Sequence, residues 1–170
     1  LGTNRSSREI VPEVLKAVKN IPVIGAGGVL DGKDIVEMMK LGANGVQMGS
    51  RFAASEECNA SDELKKMYLR AKAPEDVVLI ESPVGLPGQA IRNKFAASVL
   101  DGTVPPPTEC DRCLKHCSHK FCLIKALERA QQGDVETGLV FSGNNMRKVD
   151  EILPVKEIFR RLLAEVSQID

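Results

Sequence analysis

Two groups of residues in this chain have the types and spacing to do chemistry. The first is Ile21-Pro22-Val23-Ile24-Gly25-Ala26-Gly27-Gly28, followed nineteen residues after Gly28 by Gln47-Met48-Gly49-Ser50. Each reads as a strand end whose backbone suits a phosphate. Glycine fits that task because no side chain keeps an anion from the peptide N–H groups, and because it enters the φ > 0 turns that aim those groups inward. The competing account is that these glycines only permit tight strand-to-helix turns. The second group is Cys110-x2-Cys113-x3-Cys117-x4-Cys122. Four thiolates can hold zinc tetrahedrally or ligate an iron–sulfur cluster, so Cys110, Cys113, Cys117 and Cys122 are candidate metal ligands. Against that, zinc patterns usually have two separated pairs, and a small helical cap with reduced or incidentally paired cysteines also explains the spacing. His116 and His119 sit inside this group as ligands or surface side chains, and Cys58 reads as a packed or exposed thiol.

The elements that must position these residues follow from periodicity. Ile10, Val11, Val14, Leu15 and Val18 have helical spacing, predicting a helix over 9–20 with Pro12 in its first turn. Pro22–Ala26 is an all-apolar run, as expected of a parallel strand buried on both faces. A helix opening at Asp31 or Gly32, with Ile35, Met38 and Met39 facing inward, closes at Leu41-Gly42, and Gly45–Gly49 gives a second strand. This is a βαβ unit, and α/β proteins place ligands at the carboxyl ends of such strands. Downstream, Asn59 or Ser61 caps a helix through Ala71, Val77–Ile80 is extended, Ser82–Gly88 is a Pro/Gly loop, and 90–100, 123–132 and 155–166 are helical. Lys65-Lys66 and Arg160-Arg161 read as solvated helix faces, and Arg92 as a surface arginine or, less simply, a contact for an anionic ligand.

Composition narrows the function classes. With 23 Lys+Arg against 23 Asp+Glu in 170 residues, no overall field favours nucleic acid or an anionic membrane. No apolar stretch approaches a bilayer span and the first residues lack a signal-peptide centre, so a cytoplasmic location is expected. The cysteine spacing is too local for a secreted disulfide framework and agrees with a reducing compartment. A small-molecule substrate is the expected partner, and a homodimer stays open.

The glycine motif, with Asp31-Gly32, Leu41-Gly42-Ala43 and Gly45–Phe52, resembles the last two strands of the FMN-dependent nitronate monooxygenases, formerly called 2-nitropropane dioxygenases. That family also includes FMN-dependent enoyl-acyl-carrier-protein reductases. The resemblance continues through Ser82–Asn93 and Gly138–Asn144 to the terminal helix. It implies an α/β fold that is the C-terminal portion of a TIM (β/α)8 barrel, with two βα units visible and a mostly helical C-terminal subdomain. The corresponding division is 1–57, the FMN-phosphate site, and 58–170, the subdomain with the cysteines. By this analogy Gly27 and Gly28 supply backbone donors after strand seven, while Gln47, Met48, Gly49 and Ser50 line strand eight, Ser50 adding a hydroxyl. Such a barrel takes about 250 residues, so the chain reads as part of one. The implied activity is oxidation of alkyl nitronates by O2 or, alternatively, reduction of an enoyl thioester. A third alternative is a non-catalytic structural or metal-binding piece. Family members carry a Gly-Gly-His stretch before strand seven, whose histidine is the proposed base, whereas Leu1–Arg8 has no histidine. Either that stretch is absent, or the start is a junction with foreign sequence, or this branch uses other groups. Asn144 and Asn145 fall near the flavin side by the same analogy, though a turn explains them equally.

Overall fold

The computed structural model describes residues 5–110 and 112–169. Of the histidine-free stretch Leu1–Arg8, residues 1–4 therefore lie outside the described residues. The chain divides into two units, one formed by residues 5–58 with 148–169 and the other by Asn59–Arg147.

In the first unit, helix α1 (Ser7–Ala17) leads to strand β1 (Ile24–Ala26), α2 (Gly32–Lys40), β2 (Gly45–Gln47) and the short α3 (Ser50–Ala53), and α7 (Val155–Ser167) packs on α2. α1 begins two residues before its predicted start because Ser6 caps it, its hydroxyl accepting the Glu9 amide, which leaves Pro12 inside the helix. Asp31 caps α2 through the Asp34 amide at 2.8 Å, and Gly42 (φ +99°) ends its last turn, as the sequence suggests. Val11, Val23, Val29, Met38 and Ala43 form the core, with Ile35, Val46 and Met48 packed against it. Two expectations change. Met39 is exposed, because Val36 and Met38 supply the inward face of α2. Strand β1 is not buried on both faces: Gly25 is buried, but Ile24 is 55% exposed, since among the described residues β1 pairs only with β2.

The second unit carries α4 (Asp62–Arg70), β3 (Val77–Glu81), β4 (Pro87–Ile91), α5 (Lys94–Leu100) and α6 (Leu123–Gln132). Strand β3 lies where Val77–Ile80 is expected to be extended, whereas its antiparallel hairpin partner β4 replaces the expected end of the loop and start of the next helix. Pro87-Gly88-Gln89 has weak strand propensity, and what holds it is pairing: Ile91 N–H donates to Val140 C=O and Ser142 N–H to Gln89 C=O. Gly88 is required there, since a Cβ would press on the Phe141 ring. The core gathers Val78, Ile80, Ala90, Phe95, Phe121, Ala126 and Leu139, with the Phe95 and Phe121 rings edge to face at 5.4 Å. Asn93 joins the stretches 82–93 and 138–144: its side chain caps α5 and donates to Gly138 C=O at 2.8 Å. Lys65, expected in solvent, is buried in α4 as are Leu64, Met67 and Tyr68, while Arg160 and Arg161 are exposed and paired with Glu157.

The terminal helix thus belongs with the βαβ unit, where a cut at 57/58 would assign it to the following subdomain. Its link is local and specific. Glu165 accepts the Gly32 amide at 2.6 Å, and a Cβ on Gly32 would overlap the Cβ of Glu165.

Candidate functional site

Parallel pairing decides where the two glycine motifs lie. Ile24, Gly25 and Ala26 stand opposite Gly45, Val46 and Gln47, so the residues that follow each strand leave from the same edge of the sheet. Gly27 (φ +93°) and Gly28 (φ +73°) turn the chain in the left-handed region after β1. Gly49 follows β2. An ideal Cβ at Gly27 or Gly49 would meet no atom within 4 Å, so both positions face open space. Gln47 is exposed and Ser50 half-buried, whereas Met48 turns its side chain into the core and offers only its backbone. Glycines in left-handed turns beside open volume are what an anion held by backbone amides needs, so the residues fit a phosphate-bearing cofactor.

Helix α2 contributes little to anion binding directly. Two of its first three amides are already taken, Gly32 by the Glu165 carboxylate and Asp34 by the Asp31 side chain. The loop ahead of it is instead anchored from beneath. The Ser7 hydroxyl donates to Gly27 C=O at 2.7 Å, and the Leu30 amide donates to Asp34 Oδ2 at 3.0 Å. Asp34 is only 3% exposed. Arg8 reaches its Oδ1 at 2.6 Å, and Lys148 lies 3.3 Å from Asp34 and 3.2 Å from Asp31. Burial pushes the Asp34 carboxyl up, but the Leu30 amide, Lys148 and Arg8 together outweigh it and hold the group below the ordinary carboxylate range. Arg51 is a second buried charge: burial lowers its pKa, and it donates to Glu151 C=O at 3.2 Å. The sequence reading missed this scaffold. Only Asp31-x-x-Asp34, a local capping spacing, signalled any of it, because Lys148 is 114 residues from its partner Asp34.

The metal expectation is corrected. Among the described residues no group of three or more His, Cys, Asp or Glu side chains gathers to hold an ion, and the thiols of Cys110, Cys113, Cys117 and Cys122 are all free. The backbone supplies the reason: residues 110 and 112–117 are neither helix nor strand, with Arg112 and His119 in the left-handed region, and Cys122 stands at the backbone turn into α6. Nothing repeats to aim four side chains at one point. Cys110 and Cys113 are exposed, whereas Cys117 and Cys122 are half-buried. His116 and His119 instead line an open groove of about 830 Å³ with Ser82–Pro87, whose walls are joined by the Ser118 amide donating to Pro83 C=O at 2.9 Å. Cys58 is half-buried, and Arg92 donates to the Glu75 carbonyl at 3.3 Å. Asn144 and Asn145 open a short 3-10 turn, Asn144–Lys148.

No helix among the described residues is long and apolar enough to cross a membrane. The architecture defines an α/β protein organised on a parallel βαβ unit. Comparison with known proteins then gives the lineage: residues 2–165 match the family described as nitronate monooxygenase, and the chain belongs to that family of enzymes. A probable nitronate monooxygenase of Staphylococcus aureus (strain N315) is 30% identical over 165 residues, covering 94% of this chain and 42% of that protein. The chain therefore spans about two fifths of the length of such curated relatives. The structure of FabK from Thermotoga maritima superposes with a TM-score of 0.81 at 32% identity, over 98% of this chain and 50% of that one. A nitroalkane oxidase from Streptomyces ansochromogenes shares the fold, with a TM-score of 0.74 at 23% identity over 95% of this chain and 43% of its own.

Proposed function

We propose that this chain is the carboxyl-terminal part of an FMN-dependent nitronate monooxygenase, with β1 and β2 as the seventh and eighth strands of a (β/α)8 barrel. The observation that supports this most is the register of β1 and β2, which sends Gly27-Gly28 and Gly49 out of one sheet edge beside open space. Barrels of this kind commonly hold a phosphate in the loops after strands seven and eight. In this reading the backbone of Gly27, Gly28, Gln47, Met48 and Gly49 and the hydroxyl of Ser50 hold the FMN monophosphate. FMN when bound supplies the redox chemistry of the reaction. The chain's own residues bind and orient it: backbone amides donate hydrogen bonds to the phosphate without a competing side chain, and the core under Met38 and Met48 keeps the two strand ends in register.

Oxygen uptake by the protein carrying this chain, purified with FMN, tests the reading. Consumption of O2 with propionate 3-nitronate, and none with NADH and an enoyl thioester, is the expected result. NADH oxidation dependent on the enoyl thioester, without nitronate turnover, overturns it in favour of a reductase.

A further inference from the structure

We infer that Asp34 is a positioning residue for the cofactor-phosphate loop, fixing its inner side through the Leu30 amide while Arg8 and Lys148 neutralise its charge. The inference rests on the FMN reading above. Residues 27–31 join β1 to α2, and the structure ties them down at successive points. The Ser7 hydroxyl holds Gly27 C=O, Asp34 holds the Leu30 amide, and Asp31 is fixed as the cap of α2. In a trans peptide the carbonyl and the following amide point opposite ways, so the Ser7 bond also decides which way the Gly28 amide faces. The outer side at Gly27 stays open. A loop held from beneath and open above is preorganised for a ligand, because its ordering is complete before the ligand arrives.

The charges fit the same role. A buried carboxylate without partners would be costly and would repel an anion nearby. Here Arg8 at 2.6 Å and Lys148 at 3.3 Å face it, with Asp31 sharing Lys148 and Glu37 sharing Arg8 at 2.6 Å. Asp34 can therefore act as a hydrogen-bond acceptor for the loop while its negative charge is offset. Loss of the carboxylate releases the Leu30 amide and leaves Arg8 to Glu37 and Lys148 to Asp31, so the local charge becomes more positive. If the cations mattered most, phosphate affinity would rise; if loop geometry matters most, it falls.

The measurement is binding of FMN and of riboflavin to the protein stripped of flavin, followed by fluorescence quenching. Asp34→Leu is expected to lower the preference for FMN over riboflavin by roughly tenfold, leaving riboflavin affinity unchanged. Ser7→Ala, which removes only the hydroxyl, is expected to lower it by about threefold, with Ser7→Thr restoring it. A purely structural role would weaken both ligands together, so an unchanged or increased preference overturns the inference. Should Asp34→Leu fail to fold, Ser7→Ala decides the question by the same ratio, and Asp34→Asn, whose amide oxygen can still accept from Leu30, is expected to keep the preference for FMN. Failure of the unaltered protein to bind FMN overturns the FMN reading itself, and this inference with it; FMN binding with a flat ratio overturns the inference alone.

Discussion

The loop edge of the β1–α2–β2 unit and the described residues of the segment Cys110–Cys122 are both irregular backbone carrying a recognisable residue pattern, but they are held by different means. The first hangs between a strand pair and a helix, with Met38 fully buried beneath it and its turns pinned by Ser7, Asp31 and Asp34. The second has no strand on either side; Phe121 anchors its end in the core, and its thiols lie exposed or half-buried. A site made of backbone amides is placed by topology, since pairing Ala26 with Gln47 brings the following residues together whatever their side chains do. A site made of thiolates needs each side-chain direction set separately, and sequence spacing alone does not set them.

The largest test of that contrast is mechanical. Met38 is the floor of the first region, its Sδ lying 3.2 Å from where a Cβ on Gly25 would sit. Met38→Ala should cost about 2–5 kcal/mol, the range for emptying a packed core site. Leu114→Ala, in the exposed half of the cysteine segment, should change stability by no more than about 0.5 kcal/mol. Urea unfolding measures both. Equal losses would mean that the cysteine segment is as tightly built as the glycine edge, and the comparison would break.

The same contrast governs how much was legible in the sequence. Helices α2, α4, α6 and α7 match their predicted positions because caps such as Asp31 and Ser61 and a buried stripe at helical spacing act locally. The strand ends at Gly27-Gly28 and Gly49 were readable for the same reason. The β3–β4 hairpin was not, since its pairing partner Phe141 lies far along the chain and Pro87-Gly88 argues locally for a loop. Nor was the Asp34 scaffold. Whether an aspartate is a solvated cap or a buried acceptor depends on what packs over it, and that is decided by Arg8, Lys148 and the return of α7 to α2.

A smaller effect sharpens the contrast from the thiol side. Cys113→Ser replaces an exposed side chain and is expected to leave the melting temperature and the metal content of the purified protein unchanged. Metal analysis alongside thermal melting checks this. Stoichiometric zinc or iron in the unaltered protein, lost on substitution, would show that the thiols converge after all.

The smallest effect concerns the exposed ion pairs of α7, a helix tied into the first unit by packing on α2 and by the Glu165 hydrogen bond to Gly32. Glu157 accepts from Arg160 at 2.7 Å and from Arg161 at 2.8 Å, and these hydrogen bonds, Arg160 first, hold its carboxyl down at about 2. A carboxyl whose folded pKa is depressed contributes stability above its ordinary value near 4.5 and loses it as pH falls through its folded value of about 2. Because all three side chains reach solvent, screening keeps the contribution small. The melting temperature of Glu157→Gln should therefore lie slightly below that of the unaltered protein at neutral pH. The gap should close as the buffer is taken from 4.5 towards 2 and shrink in high salt. A large gap that survives acid would mean that Glu157 supports α7 through packing, and that charge and burial are less separable in the glycine-edge unit than the ion pairs on its surface suggest.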